Sequence, residues 1–598
     1  MRGPTWYLAR LRAMTPREAA WRGRSAVALR LRPLGRRLAE PSWDGAWPEH
    51  VRALAETRRG SLVADAERIA AGELELWGRR VEVDPARIDW ARDPFGETGD
   101  RKPLWELNRQ QHLFPLAAGA ALAGRDDWAQ ACAGQMLDWA ARRPRDTWDS
   151  GYENAHRLVG WAWTAPFLRG FLSPAQLEQV SASYAEQAAF TAARPSLHSS
   201  ANNHRLAELV GLLAATAVGV DLDRERLWGE LERRVAAQTY DDGGGREQAG
   251  GYFLYVLEVL WVAAVLARGS GYTLGTLEER LGTMLGWLEK VADHKGEPPP
   301  LGDDAEDRFL RVEYFEPRRA NEIAGRVRAL LDGETTLVAK PVGSARDSVV
   351  LPASGLAVFR CDPGTRVVVD VGELGFGSLA AHGHADALSV LLDTAEGTLL
   401  RDSGTCAYAP PEKREPYRRT SAHNTVVVDG RSQARARGPH LWGRRFELTL
   451  EAHSVGAKID YVRASHDGYR PARHTRSVTF LKPGLVIVLD RIDGEQELEA
   501  TLVWQLRPDG PPARLAVATQ PEAEHTAGDG PCSPRYTWCM EAPRSTWSTR
   551  GREVVFATVI GLEAAPPSPE LRHDGATAVE LPTIRLVERW QGGLPELG

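Results

Sequence analysis

The feature that most constrains the fold of this chain is a change in hydrophobic periodicity near Thr335. From about residue 60 to residue 335, apolar residues recur at three- and four-residue spacing in several long segments, which is the pattern of amphipathic helices. Beyond that point the chain consists of short β-rich runs such as TRVVVDVG, separated by turn residues. A series of helices of similar length predicts an α/α barrel or solenoid, and the second half predicts an antiparallel β-sandwich or two packed sheets.

At 598 residues the chain is too long for one hydrophobic core. We predict three segments: a basic helical arm over residues 1–60, a helical domain over 61–335 and a β domain over 336–598. The arm is rich in arginine, and we expect it to pack on the main body. One side of its predicted helix carries four apolar residues, Trp6, Leu8, Leu11 and Met14.

Charge and composition exclude some classes of protein. The formal net charge of −6 argues against a nucleic-acid-binding protein, and a polyanionic ligand would need a local basic cleft. No apolar run predicts a transmembrane segment. The N-terminus lacks the apolar region of a signal peptide, so we predict a cytoplasmic location by default, with periplasmic or secreted locations open on functional grounds.

The cysteines are few and odd in number, so no disulfide framework is predicted. Cys532 and Cys539 could pair across a short loop, or both could be free thiols.

Two segments of the helical half place polar residues where packing does not require them. Asn202, Asn203 and His204 precede a long apolar helix, and a single Asn would be enough to cap it. Two amides and an imidazole at a helix N-terminus favour anion binding. In the second segment, a Gly-rich turn leads to Glu247, Gln248 and then Tyr252; this pattern also fits a flexible loop with a core tyrosine.

Two segments of the β half contain histidines and carboxylates. His382 and His384 are two residues apart and share a face of an extended chain. Asp402 follows, and His423 comes after a further loop. Two or three histidines with an aspartate make a candidate zinc set, for which a hydrogen-bonded histidine cluster is the alternative.

Taken in order, these segments resemble one family. The motifs are LWELNRQQHLFPLA, WDSGYENAHRLVGWAW, SSANNHRLAELVGLL, DGGGREQAGGY, HGHADALSV, RDSGT and YRRTSAHNTVVVDG. Their order is similar to that in the heparinase II/III-like polysaccharide lyases, a group that includes some alginate lyases. The resemblance implies an incomplete α/α toroid followed by an antiparallel β-sandwich, in a bacterial-type enzyme.

The resemblance also implies roles for matching residues. Asn203, with His204 beside it, would neutralise the substrate carboxylate, Tyr252 would be the catalytic base or acid, and His382 the active-site histidine. A structural zinc ion would be held by His384, Asp402 and His423, with no organic cofactor. Further residues that could contact substrate or take part in catalysis are Tyr417, Arg419, Asn202, Glu247, Gln248, Arg109 and Arg157. Departures from the family pattern, Phe253 after the tyrosine and Ala249–Gly250 before it, bear on substrate preference.

The expected reaction is β-elimination in a uronic-acid-containing acidic polysaccharide, glycosaminoglycan-like by preference, with heparan sulfate, chondroitin or hyaluronan, alginate and a bacterial exopolysaccharide all open. One alternative is a toroid glycoside hydrolase, which needs two carboxyl groups facing the scissile bond. Glu247, Asp303 and Asp304 are candidates for that pair. The other alternative is a non-catalytic or biosynthesis-associated protein that binds acidic exopolysaccharide. We expect a monomer or a homodimer.

Overall fold

A computed structural model of the protein describes most of the chain. The described residues are 10–11, 14–31, 38–44, 46–96, 99–315, 320–341, 343, 345–362, 364–508, 514–590 and 592–598. Trp6 and Leu8 of the predicted arm lie outside these residues, and Leu11 is exposed. The arm contacts the body where Arg22 donates hydrogen bonds to Ser199 and Ser200.

Helices dominate the first half of the protein. In chain order they are α1 (Pro16–Leu31), α2 (Ala46–Glu56), α3 (Arg59–Ala70), α4 (Lys102–Asn108), α5 (Leu113–Ala123), α6 (Asp126–Arg142), α7 (Arg145–Trp148), α8 (Gly151–Leu168), α9 (Pro174–Ala193), α10 (Asn203–Ala217), α11 (Arg224–Gln238), α12 (Gly250–Gly269), α13 (Thr276–Val291), α14 (Ala320–Leu331) and α15 (Pro411–Arg418). Short 3₁₀ turns cover Arg169–Phe171, His198–Ser200 and Thr420–Ala422.

Local signals in the sequence fix where several helices begin. Ser150 caps α8 by accepting a hydrogen bond from the backbone of Glu153, and Ser173 forms a capping box with Gln176 at the start of α9. Helices α8 and α12 are almost wholly buried, so they form the centre of the helical domain. Among the described residues, α12 alone has the length and hydropathy of a membrane span, and it is entirely buried inside the protein.

The second half is built from antiparallel strands. The strands are β1 (Glu73–Leu76), β2 (Arg79–Glu82), β3 (Val349–Leu351), β4 (Leu356–Phe359), β5 (Arg366–Asp370), β6 (Val390–Thr394), β7 (Gly397–Leu400), β8 (Val426–Val428), β9 (Ala436–Gly438), β10 (Leu441–Trp442), β11 (Leu448–Ser454), β12 (Ile459–His466), β13 (Arg473–Leu481), β14 (Leu485–Gln505), β15 (Leu515–Gln520), β16 (Glu524–Cys532), β17 (Met540–Gly561), β18 (Glu570–His573), β19 (Thr577–Leu581), β20 (Ile584–Glu588) and β21 (Glu596–Leu597). Only the β1–β2 hairpin lies in the helical half of the described chain.

Two large sheets pack face to face. Strands β3 to β7 form a five-stranded sheet in chain order, and an eight-stranded sheet runs β11-β12-β13-β14-β17-β15 with β8 and β16 added at its side. Val367 and Val390 of the first sheet share one buried cluster with Val488 and Phe556 of the second. Strands β18 to β21 form a further sheet, and β9 pairs with β10.

The predicted fold class, a helical toroid followed by an antiparallel β-sandwich, is therefore confirmed. The helices of the helical domain end at Leu331, and the first strand of the sandwich begins at Val349; α15 is a short helix within the β half.

The cysteine prediction was wrong in one respect. The disulfide joins Cys406 to Cys539, which are 133 residues apart in sequence, and Cys532 is a free buried thiol. Cys532 ends strand β16 in register with Met540 of β17, and this pairing fixes its position. Cys406, the partner of Cys539, lies in a loop that comes close to Cys539 only in the tertiary structure.

Candidate active site

A pair of tyrosines lies where the two halves of the protein meet. Tyr252, in the first turn of α12, places its hydroxyl 2.8 Å from the hydroxyl of Tyr408, which lies in the loop between β7 and α15. The ring of His382, from the loop before β6, stacks on Tyr252 with 3.6 Å between ring centroids. Burial raises the pKa of both phenols well above the usual value, so both are protonated in the free protein.

Asp303 connects His382 to the rest of the site. This carboxylate follows α13 and is fully buried; its two oxygens lie 3.2 Å from Nδ1 of His382 and 3.0 Å from Nε2 of His384. Arg414 donates two hydrogen bonds of 2.8 Å to the same carboxylate. Burial alone would raise the pKa of Asp303, but the guanidinium and the two imidazoles hold it well below its usual value.

Asn203 and Glu247 form a second polar group beside His382. Asn203 donates from its side chain to both oxygens of Glu247, at 3.0 and 2.9 Å, and from its backbone to one of them. Glu247 also lies beside His382: its Oε2 is 3.6 Å from Nε2 of that ring. Burial raises the pKa of Glu247 and so favours its neutral acid form, although His382 and Asn203 oppose the shift.

His204 lies next to this group, with its ring stacked on that of Tyr152 at 4.2 Å. Burial, followed by the neighbouring His382, lowers the pKa of His204 to about 4, so the imidazole is neutral at neutral pH. Asn202 caps the helix by accepting a hydrogen bond from the backbone of His204. Gln248 bonds instead to the Tyr240 hydroxyl and a main-chain carbonyl of the β half, so it supports the loop around the site.

The candidate zinc residues come together. His384, Asp402 and His423 are buried, and their ligand atoms all lie within 4.8 Å of one another. Nδ1 of His384 and Nε2 of His423 have no hydrogen-bond partner among the described residues, while the other nitrogen of each ring faces a carboxylate, Asp303 or Asp402. Metal-binding histidines have this arrangement, with one nitrogen free for the ion and one fixed by an acceptor. The donor set therefore fits zinc.

A second group, Asp303 with His382 and His440, also satisfies the distances for a metal site. Arg414 already occupies both oxygens of Asp303, however. The Arg414 guanidinium therefore supplies the positive charge next to Asp303 that a metal ion would otherwise supply.

Four predicted residues lie away from the tyrosine pair. Tyr417 packs against Cys406 and Ala407, so it is not the second tyrosine of the cluster, and Arg419 lines a different cavity. Arg109 is buried, lies against the Tyr152 ring and forms ion pairs with three carboxylates: Glu106, Glu153 and Asp307. Arg157 donates hydrogen bonds to the main-chain carbonyls of Asn108 and Thr147. Both arginines hold the helices of the toroid together.

Three residues of the site were missed by the sequence analysis: Tyr408, Arg414 and His440. The ring of His440 lies 5.0 Å from Tyr408 and 5.9 Å from His382. Tyr408 is six residues after Asp402, in the segment that follows RDSGT, and this proximity to a metal-ligand motif was an available signal. The roles of Arg414 and His440 depend on long-range contacts that no local pattern shows.

Sequence comparison identifies the family of the chain. Residues 78–274 match the heparinase II/III N-terminus, and residues 343–564 match the heparinase II/III-like C-terminal region. A heparin-sulfate lyase of Bacteroides stercoris is 21% identical over 465 residues, which cover 70% of this chain and 66% of that protein.

Solved structures share the fold. Heparinase III superposes with a TM-score of 0.70 at 14% identity, over 92% of this chain and 90% of that one. The heparan sulfate lyase HepC from Pedobacter heparinus gives a TM-score of 0.56 at 18% identity, over 91% and 88%. The matched regions span most of both domains, and the chain belongs to the heparinase II/III-like family.

Proposed function

We propose that this protein is a polysaccharide lyase that cleaves a uronic-acid-containing acidic polysaccharide by β-elimination, with a glycosaminoglycan of the heparan sulfate type as substrate. The observation that carries the proposal is the pair of hydrogen-bonded tyrosine hydroxyls, Tyr252 and Tyr408. The Tyr252 ring stacks on His382, which adjoins the Asn203–Glu247 group. The lyase names of the relatives support the same chemistry.

Elimination in a uronate moves one proton and breaks one carbon–oxygen bond. The proton at C5 is removed, a double bond forms between C4 and C5, the bond from C4 to the glycosidic oxygen breaks, and that oxygen is protonated. The C5 proton is weakly acidic while the adjacent carboxylate is charged. The enzyme must therefore bind that carboxylate through donors that accommodate the extra negative charge.

The Asn203–Glu247 group supplies such donors. Burial favours the neutral form of Glu247, which can donate a proton in a hydrogen bond instead of repelling the substrate carboxylate. Nε2 of His382, 3.6 Å away, would add a donor when the ring carries both protons, because Nδ1 already faces the Asp303 carboxylate. Removal of one comparable oxyanion donor costs about 2.7–4 kcal/mol of transition-state stabilisation in a well-studied protease.

Tyr252 and Tyr408 would carry the proton from C5 to the leaving oxygen. A protonated phenol is ready to act as the acid. The base must be a tyrosinate, and the hydrogen bond from Tyr408 lowers the pKa of Tyr252 against the effect of burial. Tyr252 would take the C5 proton and return it to the leaving oxygen on the same face of the sugar, while Tyr408 shares the charge.

His384, Asp402 and His423 would hold the structural zinc ion, whose role when bound is to fix the loops of the β half. His384 also bonds to Asp303, and Asp303 bonds to His382. The metal ligands would thereby position His382 against Tyr252 without touching the substrate.

The hydrolase alternative requires two opposed carboxyl groups. In the described part of the site, Arg414 binds both oxygens of Asp303, so this carboxylate is not free to act with Glu247 as the second group of such a pair. These contacts favour elimination over hydrolysis. The cytoplasmic location and the monomeric or dimeric state stay predictions.

A panel of heparan sulfate, chondroitin sulfate, hyaluronan and alginate tests the proposal, with wild type, Tyr252→Phe and Tyr272→Phe as a remote control. We expect ultraviolet absorbance from the unsaturated product with wild type and the control. Tyr252→Phe should keep its melting temperature and lose about 100- to 10,000-fold in rate. New reducing ends without absorbance would establish a hydrolase, and binding without turnover would establish a non-catalytic protein.

A further inference from the structure

A basic cavity lies on the β half, outside the tyrosine cluster. Its volume is about 770 Å³, and its walls come from the segment before β8, the segment between β8 and β9, the β9–β10 hairpin with the residues just after it, and the turn before β13. We call it the arginine cleft. Its charged lining residues are five arginines and one carboxylate: Arg419, Arg431, Arg435, Arg437, Arg444 and Glu415. A basic cavity contrasts with the net charge of −6 of the whole chain.

Most of this positive charge is not neutralised within the protein. Glu415 pairs with Arg418, and Arg431 pairs with Asp429. The other four arginines are exposed and form no ion pair within the described part of the chain: Arg419, Arg435, Arg437 and Arg444. Several like charges around one cavity repel one another, and an anionic ligand relieves that repulsion.

The floor of the cleft is fixed. Trp442 is buried, and its indole nitrogen donates a hydrogen bond of 2.9 Å to the carbonyl of Gly383. Arg418 lies over the Trp442 ring at 4.6 Å. Gln433 is also buried and bonds through Nε2 to Ala387, while its Oε1 has no partner among the described residues. A rigid apolar floor with a few polar groups and a charged rim is typical of a ligand site.

The β9–β10 hairpin connects the cleft to the tyrosine pair. At its tip, the carbonyl of Pro439 accepts a hydrogen bond of 2.7 Å from Arg414, which also binds Asp303, and His440 faces Tyr408. Arg437 and Arg444 are three and four residues from His440. Because an extended chain rises about 3.3 Å per residue, these arginines lie within roughly 10–13 Å of the tip.

We propose that the arginine cleft binds the anionic groups, sulfate or carboxylate, of sugar residues next to the bond that is cleaved. This inference rests on the proposed lyase function and adds a subsite to it. Guanidinium groups suit the task because they bind such oxyanions through two parallel hydrogen bonds. A polymer with regularly spaced charges would engage the cleft and the tyrosine pair together.

The test compares a cleft variant with a control of equal charge change. The cleft variant is Arg435→Gln, Arg437→Gln and Arg444→Gln combined. The control combines Arg87→Gln, Arg552→Gln and Arg572→Gln, three exposed arginines that form no ion pair within the described residues. Steady-state kinetics on heparan sulfate, its desulfated form and alginate would give KM and kcat. Calorimetry in a Tyr252→Phe background would give the affinity for each polymer without turnover.

We expect the cleft variant to raise KM and the dissociation constant at least about tenfold, with kcat within about twofold and a weaker dependence on salt. The control should match wild type. A large effect on heparan sulfate that disappears with the desulfated polymer assigns the cleft to sulfate, and an equal effect on all three polymers assigns it to carboxylate.

The measurements distinguish failure of the cleft proposal from failure of the lyase proposal. If wild type cleaves a polymer but the cleft variant matches the control in KM and affinity, the cleft proposal is overturned and the lyase stands. If wild type cleaves nothing while the cleft variant alone loses affinity, the cleft stands as a binding site and the lyase proposal falls.

Discussion

At the scale of single residues, the contacts of a phenol oxygen separate a candidate catalytic tyrosine from a structural one. The hydroxyl of Tyr408 lies 2.8 Å from that of Tyr252, and its ring lies beside His382 and under the Arg414 guanidinium. Tyr417, nine residues later, packs against Cys406 and Ala407. Both are buried tyrosines in one segment, so only their positions in the fold make Tyr408, and not Tyr417, a candidate for catalysis.

Tyr408→Phe should therefore lower kcat and leave folding intact. Loss of the hydroxyl removes the hydrogen bond that lowers the pKa of Tyr252, so the tyrosinate becomes harder to form. We expect a fall in kcat of about 100-fold or more and a shift of the alkaline rise in the pH–rate profile to higher pH. The matched control, Tyr417→Phe, should keep wild-type kcat. Equal losses in both variants would contradict the role given to Tyr408.

A second residue, His112, should make the stability of the fold depend on pH in acid. It is buried in the toroid, with Nε2 2.8 Å from Oε1 of Gln135, and burial lowers its pKa to about 4 against an ordinary value of 6.5. The pKa of His112 is lower in the folded state than in the unfolded state. Neutral His112 therefore makes its full contribution to the free energy of unfolding above pH 6.5. It is lost as pH falls towards 4.

The loss at pH 5 should be about 2 kcal/mol, from 1.36 kcal/mol per pH unit below 6.5. In urea unfolding, the stability difference between wild type and His112→Gln should shrink by about this amount between pH 7.5 and pH 5. His453→Gln, at an exposed position of β11, should show a constant difference from wild type. A constant difference for His112→Gln as well would show that His112 does not couple folding to pH.

At the scale of elements, replacing either of two helix glycines by alanine should change the stability of the fold in opposite directions. A Cβ added at Gly119 of α5 would lie 2.3 Å from the Leu62 carbonyl oxygen of α3 and 2.4 Å from Cβ of Ala66. The two helices approach closely there, and backbone cannot move aside cheaply. Gly134 of α6 is exposed, with nothing within 4 Å of an added Cβ.

Gly119→Ala should destabilise the toroid by about 1–3 kcal/mol because it overpacks the α3–α5 contact. Gly134→Ala should instead stabilise it by up to about 1 kcal/mol, since alanine favours a helix over glycine. Thermal and urea unfolding of both variants would check this. A neutral or stabilising Gly119→Ala would mean that α3 and α5 separate more easily than their packing indicates.

The elements were the part of the protein that sequence predicted best. Apolar spacing of three and four residues specifies a helix without any knowledge of its neighbours, and it found α8, α10 and α12. The same reasoning placed Asn203 next to the start of a long apolar helix, and Asn203 is the first residue of α10. Tyr252, which the sequence placed after a Gly-rich turn, lies in the first turn of α12. Contacts across the chain could not be predicted this way. Asp303 meets Arg414 only because the two halves pack together, and Cys406 meets Cys539 only because the fold of the β half brings residues 133 apart in sequence into contact.

At the scale of the whole molecule, one carboxylate ties the toroid to the β half. Asp303 comes from the helical half, and its three partners, His382, His384 and Arg414, all come from the β half. His384 is also a ligand in the candidate zinc site. A metal ion at that site would therefore be coupled to the contact between the two halves and to the position of His382 through a single buried carboxylate.

Removal of metal should therefore weaken stability and activity together. With zinc bound, Nδ1 of His384 and Nε2 of His423 gain a partner; without it, each is a buried polar atom whose isolation costs about 1–3 kcal/mol. We expect about one zinc per chain by elemental analysis. Chelation should lower the melting temperature by about 5 °C or more, with a parallel loss of kcat that zinc restores.

The Asp402→Asn variant should reproduce the chelated state, with less zinc, a lower melting temperature and a lower kcat, because it removes one ligand and the partner of His423 Nδ1. Asp529→Asn, at an exposed position of β16, should retain zinc and wild-type stability. If chelation abolished activity at an unchanged melting temperature, the metal would act directly on the substrate. If purified protein held no metal and chelators changed nothing, the three residues would be a hydrogen-bonded cluster, and Asp303 alone would hold His382 against Tyr252.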